Sequence, residues 1–159
     1  EYSLAFKAAG TNGIVIAEPV AGLLSPSQCD EFSSKYVKRI VDEVQDDSFM
    51  VVVHNCGNTV KQVPSMLSTG AMGFHFGNAV KMTDILPQIP SNIIAMGNIE
   101  PSGVFKMGTP EMVKDKTREL LEATSDYKNF IISSGCDMPP GTPLSNIDAF
   151  FEALNEYNK

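Results

Sequence analysis

The chain of 159 residues contains no tryptophan, only three cysteines and no cluster of basic residues. Its 12 Lys and Arg residues are outnumbered by 19 Asp and Glu residues, which gives a net charge of -7. Proteins that bind a phosphate backbone need concentrated positive charge on one surface. The composition therefore argues against nucleic acid as a partner.

Long apolar runs are also missing. The longest, such as residues 49–53 and 92–96, have the length of a strand and fall far short of the roughly 20 residues that cross a bilayer. No charged-then-apolar signal segment opens the chain, so neither a membrane span nor a secretion signal is predicted. Three cysteines are an odd number, and a chain of this length does not need disulfides, so we expect a reducing, cytoplasmic setting.

With 43% hydrophobic and 19% charged residues, the chain has the composition of one globular domain over residues 1–159. It begins at Glu1, without a methionine and inside a predicted helix, so we expect a fragment of a longer protein.

Five short, largely apolar runs predict strands, and strands of this kind are typical of a parallel sheet covered on both faces. Between them, helix starts are indicated by a serine or threonine followed by proline: Ser25 before a helix that ends near Val44, Thr109 before residues 112–123, and Thr142 before the last helix. The strand runs are residues 13–17, 49–54, 72–76, 92–97 and 130–134.

Alternating strands and helices of this kind form either an open doubly wound sheet or a closed β/α barrel. The first strand is followed by Ala17-Glu18-Pro19-Val20 rather than by a glycine-rich fingerprint. A dinucleotide-binding fold therefore loses its main sequence support.

Polar residues gather just after the predicted strands, at the edge where parallel β/α folds build their active sites. His54 and Cys56 stand two apart in an extended segment, so their side chains point to the same side. Cys136 follows eighty positions later. Spacing alone leaves two readings open: a metal site, or buried cysteines beside a hydrogen-bonded histidine. The residues at this edge are Glu18, His54, Cys56, His75, Asn98, Glu100, Cys136 and Asp137.

Several motifs in order resemble the carboxyl-terminal half of the uroporphyrinogen decarboxylase superfamily, and in particular its cobalamin-dependent methyltransferase branch. The resemblance covers essentially the whole chain. It implies the carboxyl-terminal portion of a (β/α)8 barrel, with about five parallel strands and helices outside, completed by a missing amino-terminal half or by partner chains. The motifs are Glu18 to Pro26, His54-Asn55-Cys56-Gly57-Asn58-Thr59, Phe74-His75-Phe76-Gly77, Gly97-Asn98-Ile99-Glu100-Pro101, Gly108-Thr109-Pro110-Glu111 and Gly135-Cys136-Asp137 to Pro143.

The methyltransferases of this branch carry an H-x-C motif and a distant cysteine that bind zinc, and the match falls on His54, Cys56 and Cys136. The decarboxylases usually have a histidine where this chain has Cys136. The resemblance therefore implies Zn²⁺ and the transfer of a methyl group from a methylated corrinoid, carried by a corrinoid protein, to a thiol such as coenzyme M. Tetrahydrofolate is a less expected acceptor. The alternatives are a decarboxylase-like lyase and a non-catalytic half-barrel, and a homo-oligomer is also compatible.

For three further residues the sequence leaves a functional and a structural interpretation open. Glu18 is either a group near the metal or the acceptor, as a transient fourth ligand or hydrogen-bond acceptor, or a loop carboxylate. His75 either donates to a sulfonate or corrinoid group or is a hydrogen-bonded residue of the barrel end. Asn98 either binds the ligand or caps the strand end. Met138 is the methionine that we expect to face a corrinoid, and Cys29 is read as structural.

Overall fold

The computed structural model describes residues 1–159 and contains one five-stranded sheet. All strands are parallel and neighbours in chain order, as the sequence predicts. Five of the ten predicted strand ends shift by one or two residues, and the other five are unchanged. The strands are β1 (Gly13–Ala17), β2 (Met50–Asn55), β3 (Gly73–Phe76), β4 (Ile94–Ile99) and β5 (Phe130–Ser134).

Seven α-helices accompany the sheet, several of them short. A π-helical segment, Asp30–Ser34, joins the helices Pro26–Cys29 and Lys35–Val44, so that the chain is helical from Pro26 to Val44 as predicted. A second π-helical segment, Pro101–Lys106, follows β4, and 3-10 turns occupy Pro19–Leu23 and Leu86–Gln88. The helices are α1 (Tyr2–Ala8), α2 (Pro26–Cys29), α3 (Lys35–Val44), α4 (Val63–Leu67), α5 (Met82–Ile85), α6 (Pro110–Ala123) and α7 (Leu144–Tyr157). None of them is both long enough and apolar enough to cross a membrane.

Two of the three predicted helix caps are confirmed. The Ser25 hydroxyl accepts from the Gln28 backbone N–H, and the Gln28 side chain accepts from the Ser25 N–H, which is a complete capping box. Thr109 accepts from the Met112 N–H at the start of α6.

The third predicted cap, at Thr142, is wrong. Its hydroxyl donates to the Pro139 carbonyl at 2.7 Å, and Pro143 occupies the position before α7. The turn before the helix, which Gly141 closes at a φ of +78°, uses the hydroxyl that a cap would need.

The core lies between the sheet and the helices. The larger of two buried clusters packs the outward side chains of β2 and β3 against α3, α4 and α5. The smaller cluster packs the end of β4 and the π-helical segment after it against α6 and α7. Phe74 and Phe76 are fully buried on this side, which fixes β3 with its alternate residues facing the other way.

The opposite face of the sheet corresponds to the interior of a barrel and is only partly covered. Val15 on β1 is 66% exposed and Ile131 on β5 is 50% exposed. Both strands pair on one side only, so each leaves an open edge. One row across this face consists of residues in register: Ala17, His54, His75, Met96 and Ile131.

Candidate metal and active site

The sheet register brings two histidines together. His54 on β2 is aligned with His75 on β3, so both side chains stand on the inner face of the sheet. Cys56 comes two residues after His54, directly beyond the end of β2, and Cys136 comes two residues beyond the end of β5. All four residues are half-buried at the carboxyl edge.

His54, Cys56 and Cys136 form a cluster whose potential ligand atoms all lie within 4.8 Å of one another. Nε2 of His54 lies 3.6 Å from Sγ of Cys136. A tetrahedral zinc ion, with Zn–N of about 2.0–2.1 Å and Zn–S of about 2.3 Å, separates a nitrogen and a sulfur ligand by about 3.6 Å. One imidazole and two thiols in this arrangement fit a zinc site with three protein ligands and a fourth position open.

The loop that presents Cys56 is held by Asn55, which is only 2% exposed. Its Oδ1 accepts from the Gly57 N–H at 2.8 Å, and its Nδ2 donates to the Glu18 carbonyl at 2.6 Å. Gly77, at the end of β3, lies so close that an added Cβ would be 2.5 Å from Cα of Cys56. The backbone at Cys56 is therefore fixed by contacts from two neighbouring loops.

The loop that presents Cys136 is held in a similar way. The Gly135 N–H donates to the Ile99 carbonyl at 2.7 Å, which continues the pairing of β5 with β4. The Ser134 hydroxyl donates to the Cys136 carbonyl at 2.8 Å. These contacts orient the Sγ of Cys136 toward His54 from the far side of the sheet.

His75 lies behind His54 rather than among the metal-ligating atoms. Its Nδ1 is 2.7 Å from Nδ1 of His54, and its Nε2 is 2.8 Å from both the Ser133 hydroxyl and the Ser134 carbonyl. Burial lowers the pKa of His75, and the neighbouring His54 lowers it further, against the opposing effects of the Ser134 carbonyl and Asp137. The hydrogen-bonded alternative for this residue accounts for all of these contacts.

The structure does not bring Glu18 into the cluster. The Ser33 hydroxyl donates to its Oε2 at 2.7 Å, while its backbone N–H donates to the His54 carbonyl at 2.8 Å. Glu18 therefore follows β1 beside the site, with its backbone tied to β2 and its carboxylate turned toward the π-helical segment that contains Ser33.

Asn98 is buried, and both of its amide donors are used inside the protein, on the carbonyls of Gly77 at 3.0 Å and Val80 at 2.7 Å. This contact pattern supports the structural alternative, in which Asn98 fixes the loop after β3. A groove of about 490 Å³ contains Asn98 and Glu100 but none of the three clustered residues.

Met138 and Cys29 lie apart from the cluster. Met138 packs against the smaller core cluster, which includes Phe105 and Phe150. Cys29 is 2% exposed in α2, and burial raises the pKa of its thiol above the ordinary value.

Sequence reasoning did not identify Asn55 or Ser133 as residues that support the site. An asparagine between two ligand candidates is nevertheless a usable signal, since asparagine stabilises turns.

The fold of the chain matches that of a solved methyltransferase structure. A methyltransferase structure from Methanosarcina mazei superposes with a TM-score of 0.86 and 26% sequence identity, covering 99% of this chain and 46% of that chain. The five strands and their helices are thus the carboxyl-terminal portion of a (β/α)8 barrel.

Sequence relatives point the same way. A methylcobamide:CoM methyltransferase MtbA of Methanosarcina acetivorans is 28% identical over 98% of this chain and 45% of its own length. A uroporphyrinogen decarboxylase of a Synechococcus strain is 29% identical over 91% of this chain and 40% of its own length. The chain thus spans less than half the length of the curated relatives that it matches. The family model described as uroporphyrinogen decarboxylase (URO-D) matches residues 1–157, and the chain belongs to this family.

Proposed function

We propose that the chain carries the zinc site of a methyltransferase that moves a methyl group from a methylated corrinoid, held by a corrinoid protein, to a thiol, with coenzyme M as the acceptor. The cluster of His54, Cys56 and Cys136 carries the proposal, because it offers three ligands of the right type within 4.8 Å. Similarity to methylcobamide:CoM methyltransferases supports the choice of reaction.

The ligand set suits a thiol better than a water molecule. Two thiolates and one neutral imidazole balance the charge of a divalent ion, so a thiolate joining them remains electron-rich. A free thiol with a pKa near 8.5 is largely protonated at neutral pH. Bound zinc would supply a Lewis acid that favours the deprotonated acceptor.

The transfer itself is a nucleophilic displacement. The acceptor thiol loses its proton to solvent, and a lone pair of its sulfur forms the new bond to the methyl carbon. The carbon–cobalt bond breaks, and its electron pair stays with cobalt, which leaves as cobalt(I). The residues of this chain contribute position: Asn55 and Gly77 fix the loop of Cys56, and Ser134 fixes that of Cys136.

The remaining predicted residues also receive proposed roles. We assign Glu18 to the neighbourhood of the acceptor; its carboxylate accepts a hydrogen bond from the Ser33 hydroxyl. Asn98 shapes the loop after β3, and we propose that Met138, which packs against the smaller core cluster, also faces the corrinoid. Residues 1–159 act as one domain in a reducing cytoplasm, completed by the rest of a longer chain or by a second copy.

Metal analysis and a methyl-transfer assay test the proposal. Protein purified without chelator should hold about one equivalent of zinc, as expected for one three-ligand site. Cys56→Ser and Cys136→Ser should lose it, while Cys29→Ser, the matched control, should keep it. The full-length gene product should convert methylcobalamin and coenzyme M to cob(I)alamin and methylated coenzyme M. Protein that binds no zinc would contradict the metal site, and release of carbon dioxide from a porphyrinogen without thiol methylation would favour the lyase.

A further inference from the structure

A chain of hydrogen bonds leads from the end of β5 to the cluster. It begins at the Ser134 carbonyl, passes through both nitrogens of His75, and ends at His54. Each link joins atoms 2.7 to 2.8 Å apart. A carbonyl oxygen has no hydrogen to give, so the direction of every link is fixed by this first acceptor.

Each hydrogen bond in this chain has a defined donor. Because the Ser134 carbonyl only accepts, the hydrogen at that contact belongs to Nε2 of His75. The Ser133 hydroxyl agrees with this, since it donates to the same carbonyl at 3.0 Å and leaves its oxygen to accept from His75. A neutral imidazole with a hydrogen on Nε2 has a free lone pair on Nδ1.

That lone pair determines which ring nitrogen of His54 carries the hydrogen. Nδ1 of His75 must accept, so Nδ1 of His54 must donate. The backbone carbonyl of His75, 3.2 Å from the same Nδ1, requires a donor there as well. With its hydrogen on Nδ1, the neutral ring of His54 has its lone pair on Nε2, which is the nitrogen that faces Sγ of Cys136.

We propose that His75 is a positioning residue for His54, holding it in the tautomer and orientation that present Nε2 to the metal. The inference rests on the proposed zinc site and goes beyond it, because it assigns a role to a residue that binds neither metal nor substrate. Groups that hydrogen-bond a metal-ligating histidine in this way typically contribute 10- to 100-fold to metal affinity. The carbonyl of His75 persists in every variant, so a loss of about tenfold is expected for the side chain.

Three substitutions separate positioning from packing. His75→Asn keeps an acceptor close to the place of Nδ1, and should retain zinc affinity close to that of the unmodified protein. His75→Gln keeps a polar group close to the place of Nε2, next to the Ser134 carbonyl, but offers no acceptor to His54. His75→Leu removes both. The glutamine and leucine variants should bind zinc about tenfold more weakly in competition with a chelator.

A second measurement does not depend on metal. Two-bond ¹H–¹⁵N spectra of the metal-free protein, recorded near pH 8 where an ordinary histidine is neutral, identify the tautomer of His54. The hydrogen should sit on Nδ1 in the unmodified protein and in His75→Asn, and should distribute over both nitrogens in His75→Leu.

The outcomes distinguish this inference from the proposed function. If no variant and not even the unmodified protein binds zinc, the metal site fails, while the tautomer measurement still decides the role of His75. Zinc binding that is equal in His75→Asn, His75→Gln and His75→Leu, with an unchanged tautomer, overturns the positioning role and leaves the zinc site intact. Melting curves of the variants identify any that fail to fold, and if His75→Leu does so, the comparison of His75→Gln with His75→Asn decides the role.

Discussion

Nε2 of His54 and Sγ of Cys136 lie 3.6 Å apart, although 82 positions separate the two residues in the chain. The contact joins the ends of β2 and β5, between which two other strands lie. Neighbouring strands lie about 4.8 Å apart, so three spacings separate β2 from β5, and the His54 side chain and the loop after β5 reach toward each other across β3 and β4. The site therefore depends on the loops that present its side chains and on the contacts that hold those loops.

Thiol labelling should separate the three cysteines. Burial raises the pKa of Cys29, so its thiol stays protonated and reacts slowly with iodoacetamide in the folded protein. Cys56 and Cys136 are partly exposed and should react first in metal-free protein. Mass spectrometry of digested samples reads each site, and zinc should protect the latter two only. Rapid native labelling of Cys29 would contradict its burial.

The same shift has a consequence for stability. Because the folded state raises the pKa of Cys29, the unfolded state loses the thiol proton first as the pH rises. The contribution of the protonated Cys29 thiol to the free energy of unfolding is therefore complete below the ordinary thiol pKa. It is lost as the pH rises through the raised pKa of the folded state. Denaturant titrations of the unmodified protein and of Cys29→Ala at increasing pH should show a steeper alkaline decline for the unmodified protein.

Gly77→Ala should weaken metal binding. The new Cβ would lie 2.5 Å from Cα of Cys56, so the loop of that ligand must move. A displaced ligand loop is expected to lower zinc affinity about tenfold, in the range for groups that orient metal ligands. Chelator competition measures it. Gly141→Ala is the matched control, because the φ of +78° strains the backbone there while no atom lies within 4 Å. Equal zinc affinity in both variants would contradict the prediction.

Asn146→Ala should destabilise the fold. This amide is 1% exposed and donates to the carbonyls of Phe105 at 2.7 Å and Gly108 at 2.9 Å, which joins α7 to the segment after β4. Two buried carbonyls would lose their donor, at a cost on the order of 3 kcal/mol in the free energy of unfolding. Urea titration measures the loss. Ser145→Ala, one position earlier and exposed, should change stability by less than about 0.5 kcal/mol.

Thr109→Ala should lower the free energy of unfolding by about 1 kcal/mol, the usual effect of losing an N-cap. The Thr109 hydroxyl accepts from the Met112 N–H at the start of α6, and alanine leaves that donor without a partner. Thr109→Ser keeps the hydroxyl and should restore most of the stability in thermal or urea unfolding. If serine and alanine prove equally destabilising, the hydroxyl is not the stabilising group.

Local chemistry made much of the fold predictable. The strands follow apolar runs, and the caps at Ser25 and Thr109 follow from hydroxyl-containing residues before proline. Thr142 has the same local sequence but a different partner, because the turn from Pro139 captures its hydroxyl. Local sequence does not specify which nearby backbone donor or acceptor a threonine hydroxyl will bind in the folded chain.

The sequence names the three residues of the cluster but not the contacts that surround them. The motif identifies His54, Cys56 and Cys136, and the structure brings their ligand atoms within 4.8 Å. The pairing of His54 with His75 depends on the register of β2 and β3, which a shift of one residue would abolish. The hydrogen bond from Ser33 to Glu18 likewise requires a helix to pack beside the strand end, which is a tertiary contact.

Because β1 and β5 have open edges, a metal bound at the cluster would also have a structural effect. Within residues 1–159, strand pairing joins neighbours only, and β2 and β5 are not neighbours. A zinc ion held by residues from β2 and β5 would act as a cross-link across that sheet. A ligand present at a thousandfold excess over its Kd stabilises a folded state by about 4 kcal/mol. The supply of metal would then add to the stability of these strands and loops, and so to their resistance to proteases.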